Sequence, residues 1–158
     1  SISKAAATKG YGAEVVQVGQ IYDEAYEHAR KLEKEHGYTF VHPYEDPFVI
    51  AGQGTIGIEI LEKVADLDTV IVPIGGGGLI SGVAMAVKHL NPKTRVIGVQ
   101  SDRAANMANL YNKVPQSTEK KSPTIADGIA IKYPSQVMYE NFISKYDSPF
   151  IVHDLCIP

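Results

Sequence analysis

The chain has 158 residues, and its 15 basic and 18 acidic side chains give a formal net charge of −3. Because neither sign gathers into a long run, the charge pattern argues against a surface for nucleic acid or for an anionic membrane. No apolar run reaches the ~20 residues of a membrane-spanning helix, so we expect a soluble protein that does not enter a membrane. Cys156, the only cysteine, cannot form an internal disulfide, which favours a reducing, cytoplasmic setting.

The predicted elements alternate between short β-branched segments and amphipathic helices. In chain order they are a strand at 14–18, a helix at 23–36, a strand at 38–41, a helix with Ile56, Ile60, Leu61 and Val64 on its inner side, a strand at 69–74, a helix at 79–90 and a strand at 95–99. The strand at 69–74 lacks polar alternation, which predicts burial on both faces. Strands separated by helices predict an α/β fold with an open, doubly wound, mostly parallel sheet and helices on both faces.

The carboxyl-terminal part has a weaker pattern. Residues 101–111 and 135–145 can be helical, and 150–152 can form a last short strand. The polar stretch at 112–134 contains three prolines and is long for a loop in a compact domain, which indicates function or mobility. The amino terminus reads as part of a helix, so we expect residues 1–158 to be a single, partial domain of a longer protein.

A first glycine cluster, from Gly52 to Gly57, spells G-x-G-x-x-G, a pattern found at dinucleotide-binding sites. At such sites the pattern follows a buried strand, and an acidic residue ends the next strand. Here a proline-flanked loop precedes the pattern, and the next strand ends in Pro73 and Ile74. The sequence therefore predicts that these glycines allow close helix packing and bind no dinucleotide.

A second cluster, from Gly75 to Gly78, follows the most apolar predicted strand and precedes a helix. Doubly wound sheets bind ligands at this end of a strand, where glycine amides can surround an anion and the helix adds positive partial charge. Leu79 and Ile80 stand where a triphosphate-binding loop has lysine and serine or threonine. The pattern predicts a cup for a phosphate monoester, such as pyridoxal phosphate or flavin mononucleotide; a turn without a ligand is the alternative.

Four blocks of sequence carry a family resemblance: HPYEDPFVIAGQGTIGIEI, GGGGLISG, VIGVQS and TIADGIAIK. In this order and spacing they resemble the threonine dehydratase and serine racemase branch of the fold-type II pyridoxal-phosphate enzymes, whose fold is like that of the tryptophan synthase β chain. The resemblance runs from Lys4 to Tyr139 and is closest to the dehydratases. It implies that one run of backbone amides holds the cofactor phosphate: those of Gly75, Gly76, Gly77, Gly78 and Leu79.

The resemblance also implies a reaction. Tyr44 matches a position beside the cofactor ring, and Asp127–Gly128 matches a segment on the substrate side. The family's dehydratases convert L-threonine or L-serine to 2-oxobutanoate or pyruvate and ammonia, with pyridoxal phosphate as the electron sink. This lyase activity is the expected function of the intact enzyme. A serine racemase, which is an isomerase, and an isolated, non-catalytic phosphate-binding domain are the alternatives.

Regulation and metal binding follow from the same resemblance. Tyr11 matches a position at a nucleotide effector site between subunits, and the intact protein is expected to be a homo-oligomer. Gln100, Ala104 and Asn106 match the cation-binding loop of the racemases, but Gln and Asn replace the two acids expected there. Because hard cations prefer carboxylates, we expect no tight metal site.

The family's cofactor-bonding lysine stands in a Ser-Phe-Lys context, and its substrate carboxylate binds a Ser-Gly-Asn-His loop. In the family both motifs precede the region that matches Ser1, and neither occurs in residues 1–158. We therefore assign no catalytic residue within this chain, and we expect the chain alone to be inactive.

Overall fold

The computed structural model describes residues 2–19, 22–115, 124, 126–131 and 133–145. The chain divides into two compact units, residues 1–41 and 42–158, called here the smaller and the larger unit. Each is described by itself, and the expectation that they form one domain remains a prediction. The predicted strand at 150–152 and Cys156 lie outside the described residues.

The described part of the smaller unit contains helices α1 (Ile2–Gly10) and α2 (Tyr22–His36), and α2 confirms the predicted helix at 23–36. Gly37 ends α2 as a left-handed cap, with φ +72° and its N–H donating to the Glu33 carbonyl at 2.9 Å. After this cap Phe40 returns to the helix, with its ring edge-on to Tyr26 at 5.4 Å and 5.1 Å from the Arg30 guanidinium. Aromatic and cation–π contacts therefore fix the segment that leaves α2.

The predicted strands at 14–18 and 38–41 are not hydrogen-bonded into a sheet within the described part of the smaller unit. Their β-branched and aromatic residues favour a pleated, half-buried surface, but a strand also needs a neighbouring backbone with which to exchange hydrogen bonds. Val16, Val18 and Tyr38 instead line a cavity beside α2. Composition alone therefore overstated the sheet here.

The larger unit is built on a parallel βαβ crossover. Strands β1 (Thr69–Pro73) and β2 (Arg95–Val99) pair in parallel, and α4 (Gly78–Leu90) connects them. The other helices are α3 (Pro47–Lys63), α5 (Asn106–Tyr111) and α6 (Gln136–Asn141). The predicted α/β class, both strands and the helices near 56–64 and 79–90 are confirmed. The two carboxyl-terminal predicted helices are each divided into a 3-10 turn and a short α-helix.

Glycines allow the backbones of helices α3 and α4 to come into direct contact. A Cβ atom on Gly54 would lie 3.2 Å from the Gly82 carbonyl oxygen, and one on Gly57 would lie 3.0 Å from the Val83 carbonyl oxygen. A Cβ atom on Gly82 would collide with the Ile50 carbonyl. The G-x-G-x-x-G pattern thus lies inside α3, and its Gly54 and Gly57 serve close helix packing, as predicted. Gly52 does not, since a Cβ atom there would meet nothing within 4 Å.

The inner face of α3 differs from the expected one. Of the predicted inner residues, Ile56 and Val64 are 41% and 46% exposed, whereas Ile60 is half-buried and Leu61 packs partly buried against the core. The fully buried positions are Ile50, Gly54 and Gly57. Counting large apolar residues misplaced part of this face because the close approach of α4 requires small residues. The inner residues predicted for α4 are all buried, namely Ile80, Val83, Ala84 and Val87.

Strand β1 is buried on one face within the larger unit. Val72 is 4% exposed and Ile74 is fully buried, but Ile71, which precedes Val72 and points to the other face, is 64% exposed. The expectation of burial on both faces is therefore not met in the described part of this unit. A run of valine and isoleucine allows a sheet to be covered by helices on both faces, but it does not itself provide the second layer of helices.

Polar contacts fix the amino-terminal edge of this sheet, away from the glycines. Thr69 donates a hydrogen bond to the Asp68 carboxylate at 2.6 Å, and the Arg95 guanidinium lies 3.5 Å from the same carboxylate. The hydrogen bond and the guanidinium charge lower the pKa of the Asp68 carboxyl from its ordinary value.

No helix among the described residues is both long and apolar enough to cross a bilayer.

Candidate functional site

Gly75 to Gly78, called here the glycine loop, connects the carboxyl end of β1 to α4. The Ile74 N–H donates to the Val99 carbonyl at 2.8 Å, so the parallel pairing continues to the first glycine. Gly77 has φ +104°, in the left-handed region that side chains of L-residues rarely adopt. The loop therefore lies where the sequence predicted, at the ligand-binding end of a parallel strand.

Helix α4 begins without a side-chain cap. Its N-cap residue is Gly77, which has no side chain to accept from the first N–H groups. Helix α3 provides the contrast, because its Asp46 carboxylate accepts hydrogen bonds from the N–H groups of Phe48 and Val49 at 2.8 and 3.2 Å. The start of α4 thus retains the donors and the positive partial charge that an anion can use.

Tyr44 lies against the glycine loop. Its ring occupies the space that a Cβ atom on Gly76 would need, and its Cα atom is 2.8 Å from where a Cβ on Gly78 would lie. Two glycines therefore admit one aromatic side chain and its backbone. The structure thus brings Tyr44 and the glycine loop together.

Other segments use the remaining two glycines. A Cβ atom on Gly77 would lie 3.0 Å from Ile143 Cδ1 and 3.3 Å from Met138 Cβ. A Cβ atom on Gly75 would lie 3.3 Å from the Ile129 Cα, in the segment that begins at Gly128. The four glycines of the loop thus admit contacts from three different parts of the larger unit.

A hydrogen-bond network that the sequence did not indicate fixes the residues around Tyr44. His42 Nδ1 accepts from the backbone N–H groups of Tyr44 and Glu45 at 3.3 and 2.9 Å. The Glu45 carboxylate accepts a 2.6 Å hydrogen bond from the Ser135 hydroxyl, which in turn accepts from the Met138 N–H at 3.1 Å. The sequence placed Ser135 at the start of a predicted helix, which indicates a helix cap. It gave no indication that the same hydroxyl also bonds Glu45.

Gln100 and Asn106, which match the racemase cation loop, hold backbone groups instead. The Gln100 side chain is 4% exposed; it donates to the Ile74 carbonyl at 3.0 Å and accepts from the Ala108 N–H at 2.8 Å. Asn106 donates to the Ile131 carbonyl at 3.0 Å. These amides tie the end of β1 and the 126–131 segment to α5. Within the described ranges, His, Cys, Asp and Glu form no group of three that could hold a metal ion.

Residues 1–153 match the family described as "Pyridoxal-phosphate dependent enzyme". Over 146 residues the chain is 49% identical to the L-threonine ammonia-lyase of Thermotoga maritima, covering 92% of this chain and 36% of that protein. Maize serine racemase has a similar structure, with a TM-score of 0.85, 32% identity, and coverage of 96% of this chain and 48% of that one.

The processed form of threonine deaminase isoform 2 from Solanum lycopersicum is also similar. Its TM-score is 0.81 at 35% identity, covering 97% of this chain and 42% of that one. The chain therefore spans less than half the length of each of these three relatives.

Proposed function

Because the chain belongs to the family of pyridoxal-phosphate dependent enzymes, we propose that its glycine loop holds the phosphate group of pyridoxal 5'-phosphate. The observation that carries this proposal is the start of α4, where Gly77 provides no side-chain cap and the helix amides remain available to an anion. The amides of Gly75 to Gly78 and of Leu79 would bind the phosphate oxygens.

The residues present fit a phosphate monoester. The loop has no lysine that would favour a triphosphate, and its backbone is kept open by glycines. Ser81, one turn into α4, has a buried hydroxyl with no hydrogen-bond partner among the described residues. A buried polar atom of this kind is normally satisfied by a polar ligand or by water. Tyr44 would lie beside the cofactor ring, and Asp127–Gly128 would lie on its substrate side.

For the whole protein we propose deamination of L-threonine or L-serine to a 2-oxo acid and ammonia. The 49% identity to a protein named L-threonine ammonia-lyase supports this reaction. Pyridoxal phosphate, when bound, supplies an electron sink for the electrons left by the α-proton. This chain's part is to bind the phosphate and to place Tyr44 beside the ring.

A second candidate activity is serine racemisation, which the similarity to maize serine racemase supports. Chiral analysis of the product of the whole protein separates the two reactions, because a racemase returns D-serine and a dehydratase returns a 2-oxo acid. A third candidate is a phosphate-binding domain without catalysis.

Regulation and location are further parts of the proposal. We propose a homo-oligomer with a nucleotide effector site near Tyr11, whose side chain is 93% exposed in the smaller unit. The single cysteine supports a reducing, cytoplasmic location.

The proposal predicts that the 158-residue chain distinguishes pyridoxal phosphate from pyridoxal. We expect at least roughly tenfold weaker binding of pyridoxal by equilibrium dialysis, because charge-assisted hydrogen bonds to the phosphate would be lost. Inorganic phosphate should compete with pyridoxal phosphate. Equal affinities for the two compounds, without phosphate competition, would show that surface lysines react with the aldehyde and that the loop is no phosphate site.

The chain alone should release no ammonia from threonine beyond the rate with free cofactor.

A further inference from the structure

We propose that the hydrogen bond between Ser135 and Glu45 sets the affinity of the glycine loop for phosphate. Two of the groups that border this loop are Tyr44, at Gly76 and Gly78, and the α6 region, at Gly77. The Ser135–Glu45 bond joins these two groups. The inference rests on the proposed function and adds two positioning residues to it.

Ser135 is suited to this role because its hydroxyl performs two tasks at once. It is 8% exposed, donates to Glu45 Oε1 at 2.6 Å and accepts from the Met138 N–H at 3.1 Å. The second bond caps α6. The first spans 90 residues of sequence and has a charged acceptor, which makes it stronger than a bond between neutral groups. One hydroxyl therefore fixes the start of α6 relative to the loop that carries Tyr44.

Glu45 transmits this constraint to Tyr44, its neighbour in sequence. The carboxylate of Glu45 also lies 3.6 Å from His42 Nε2, and His42 Nδ1 accepts from the N–H groups of both Tyr44 and Glu45. The His42 ring meets the Tyr44 ring edge-on at 4.6 Å. These contacts hold residues 42–45 together. A hydrogen bond that fixes Glu45 therefore also fixes the Tyr44 ring, which lies on Gly76.

The α6 region transmits the same constraint to Gly77. Met138 is fully buried and Ile143 is 3% exposed, and both lie at the position where a Gly77 side chain would extend. Gly77 is also the N-cap residue of α4. A shift of α6 would therefore move Gly77, and the conformation of Gly77 sets the direction in which the first N–H groups of α4 point.

Four variants of the full 158-residue chain separate the link from the helix cap. Glu45→Ala removes the link and the 3.6 Å contact with His42 but leaves the cap, whereas Ser135→Ala removes the link and the cap. Ser135→Thr retains the hydroxyl, and Glu45→Gln retains an oxygen acceptor without the charge. Gln136→Ala is the matched control, because it removes an exposed 2.7 Å hydrogen bond to Glu140 within the same helix.

The first readout is amide hydrogen exchange without any ligand at Tyr44, Glu45 and Ser81, whose N–H groups donate to His42 Nδ1 and to the Gly77 carbonyl. The second is the dissociation constant for inorganic phosphate. We expect Glu45→Ala and Ser135→Ala to speed the exchange and to weaken phosphate binding about tenfold each, because a loop that is not preorganised must be ordered on binding. Ser135→Thr and the Gln136→Ala control should stay within about twofold of wild type, and Glu45→Gln should lie between.

Two results would overturn the inference. One is unchanged exchange and phosphate affinity in folded Glu45→Ala and Ser135→Ala proteins. The other is an equal loss in the Gln136→Ala control, which would make the effect one of general helix stability. If exchange responds as expected but the wild-type chain binds no phosphate, the proposed function fails and the positioning role remains. If Glu45→Ala does not fold, the graded comparison of Glu45→Gln with Ser135→Thr decides the outcome.

Discussion

Replacing Gly76 with alanine should weaken binding of inorganic phosphate by at least about 30-fold. The new Cβ atom would collide with the Tyr44 ring, so either the ring or the loop must move. Each hydrogen bond to a charged group contributes about 1.5–3 kcal/mol, and a misplaced loop loses one or more of them. Isothermal titration of wild type and variant measures the change. Gly52→Ala is the control in the same unit, because Gly52 lies in α3 and has open space around its Cβ position.

The contacts of Tyr44 give this prediction a more selective form. A Cβ on Gly76 would meet ring carbons, whereas a Cβ on Gly78 would meet the Tyr44 Cα at 2.8 Å and its carbonyl oxygen at 3.0 Å. Relative to Tyr44→Ala alone, adding Gly76→Ala should therefore cost little phosphate affinity, while adding Gly78→Ala should still be harmful. If both additions have the same effect, the collision with the Tyr44 ring is not the cause.

Replacing Gly77 with alanine should lower the free energy of unfolding by about 2–4 kcal/mol. Two costs add at this position: a φ of +104°, and a Cβ atom placed 3.0 Å from Ile143 Cδ1. Urea unfolding followed by circular dichroism measures the loss.

Gly37→Ala separates the two costs at Gly77, because Gly37 has φ +72° and open space around its Cβ position. It should cost only about 1 kcal/mol, which is the price of the left-handed backbone alone. If Gly77→Ala is as mild as Gly37→Ala, the packing of the α6 region on the glycine loop is looser than the contacts indicate.

The sequence predicted those parts of the fold and site that depend on local pattern. The family and its fold class are confirmed, and so is the position of the glycine loop between β1 and α4. A buried strand that ends in glycines and is followed by a helix is typical of the ligand-binding turn of a parallel sheet, so this local pattern alone predicts the position of the loop. The proximity of Tyr44 to the loop came from the family resemblance, since no local pattern links two segments so far apart.

The parts that were missed depend on tertiary partners. The inner face of α3 was predicted only in part, because two of its three buried positions are Gly54 and Gly57, which have no apolar side chain to mark them in the sequence. The Ser135–Glu45 bond could not be read from the sequence, because any serine that starts a helix satisfies the capping pattern. Likewise, the exposure of Ile71 depends on what covers the sheet, which the strand's own composition does not determine.

The central claim is that the backbone amides of the glycine loop bind a phosphate group. Amide nitrogen and proton shifts of the wild-type chain, followed by NMR during titration with pyridoxal phosphate, test it most directly. We expect the largest shifts on Gly75 to Leu79, and we expect them to saturate with the same dissociation constant that dialysis gives. Saturable shifts elsewhere, for example at the Asp46-capped start of α3, with the glycine loop unchanged, would contradict it.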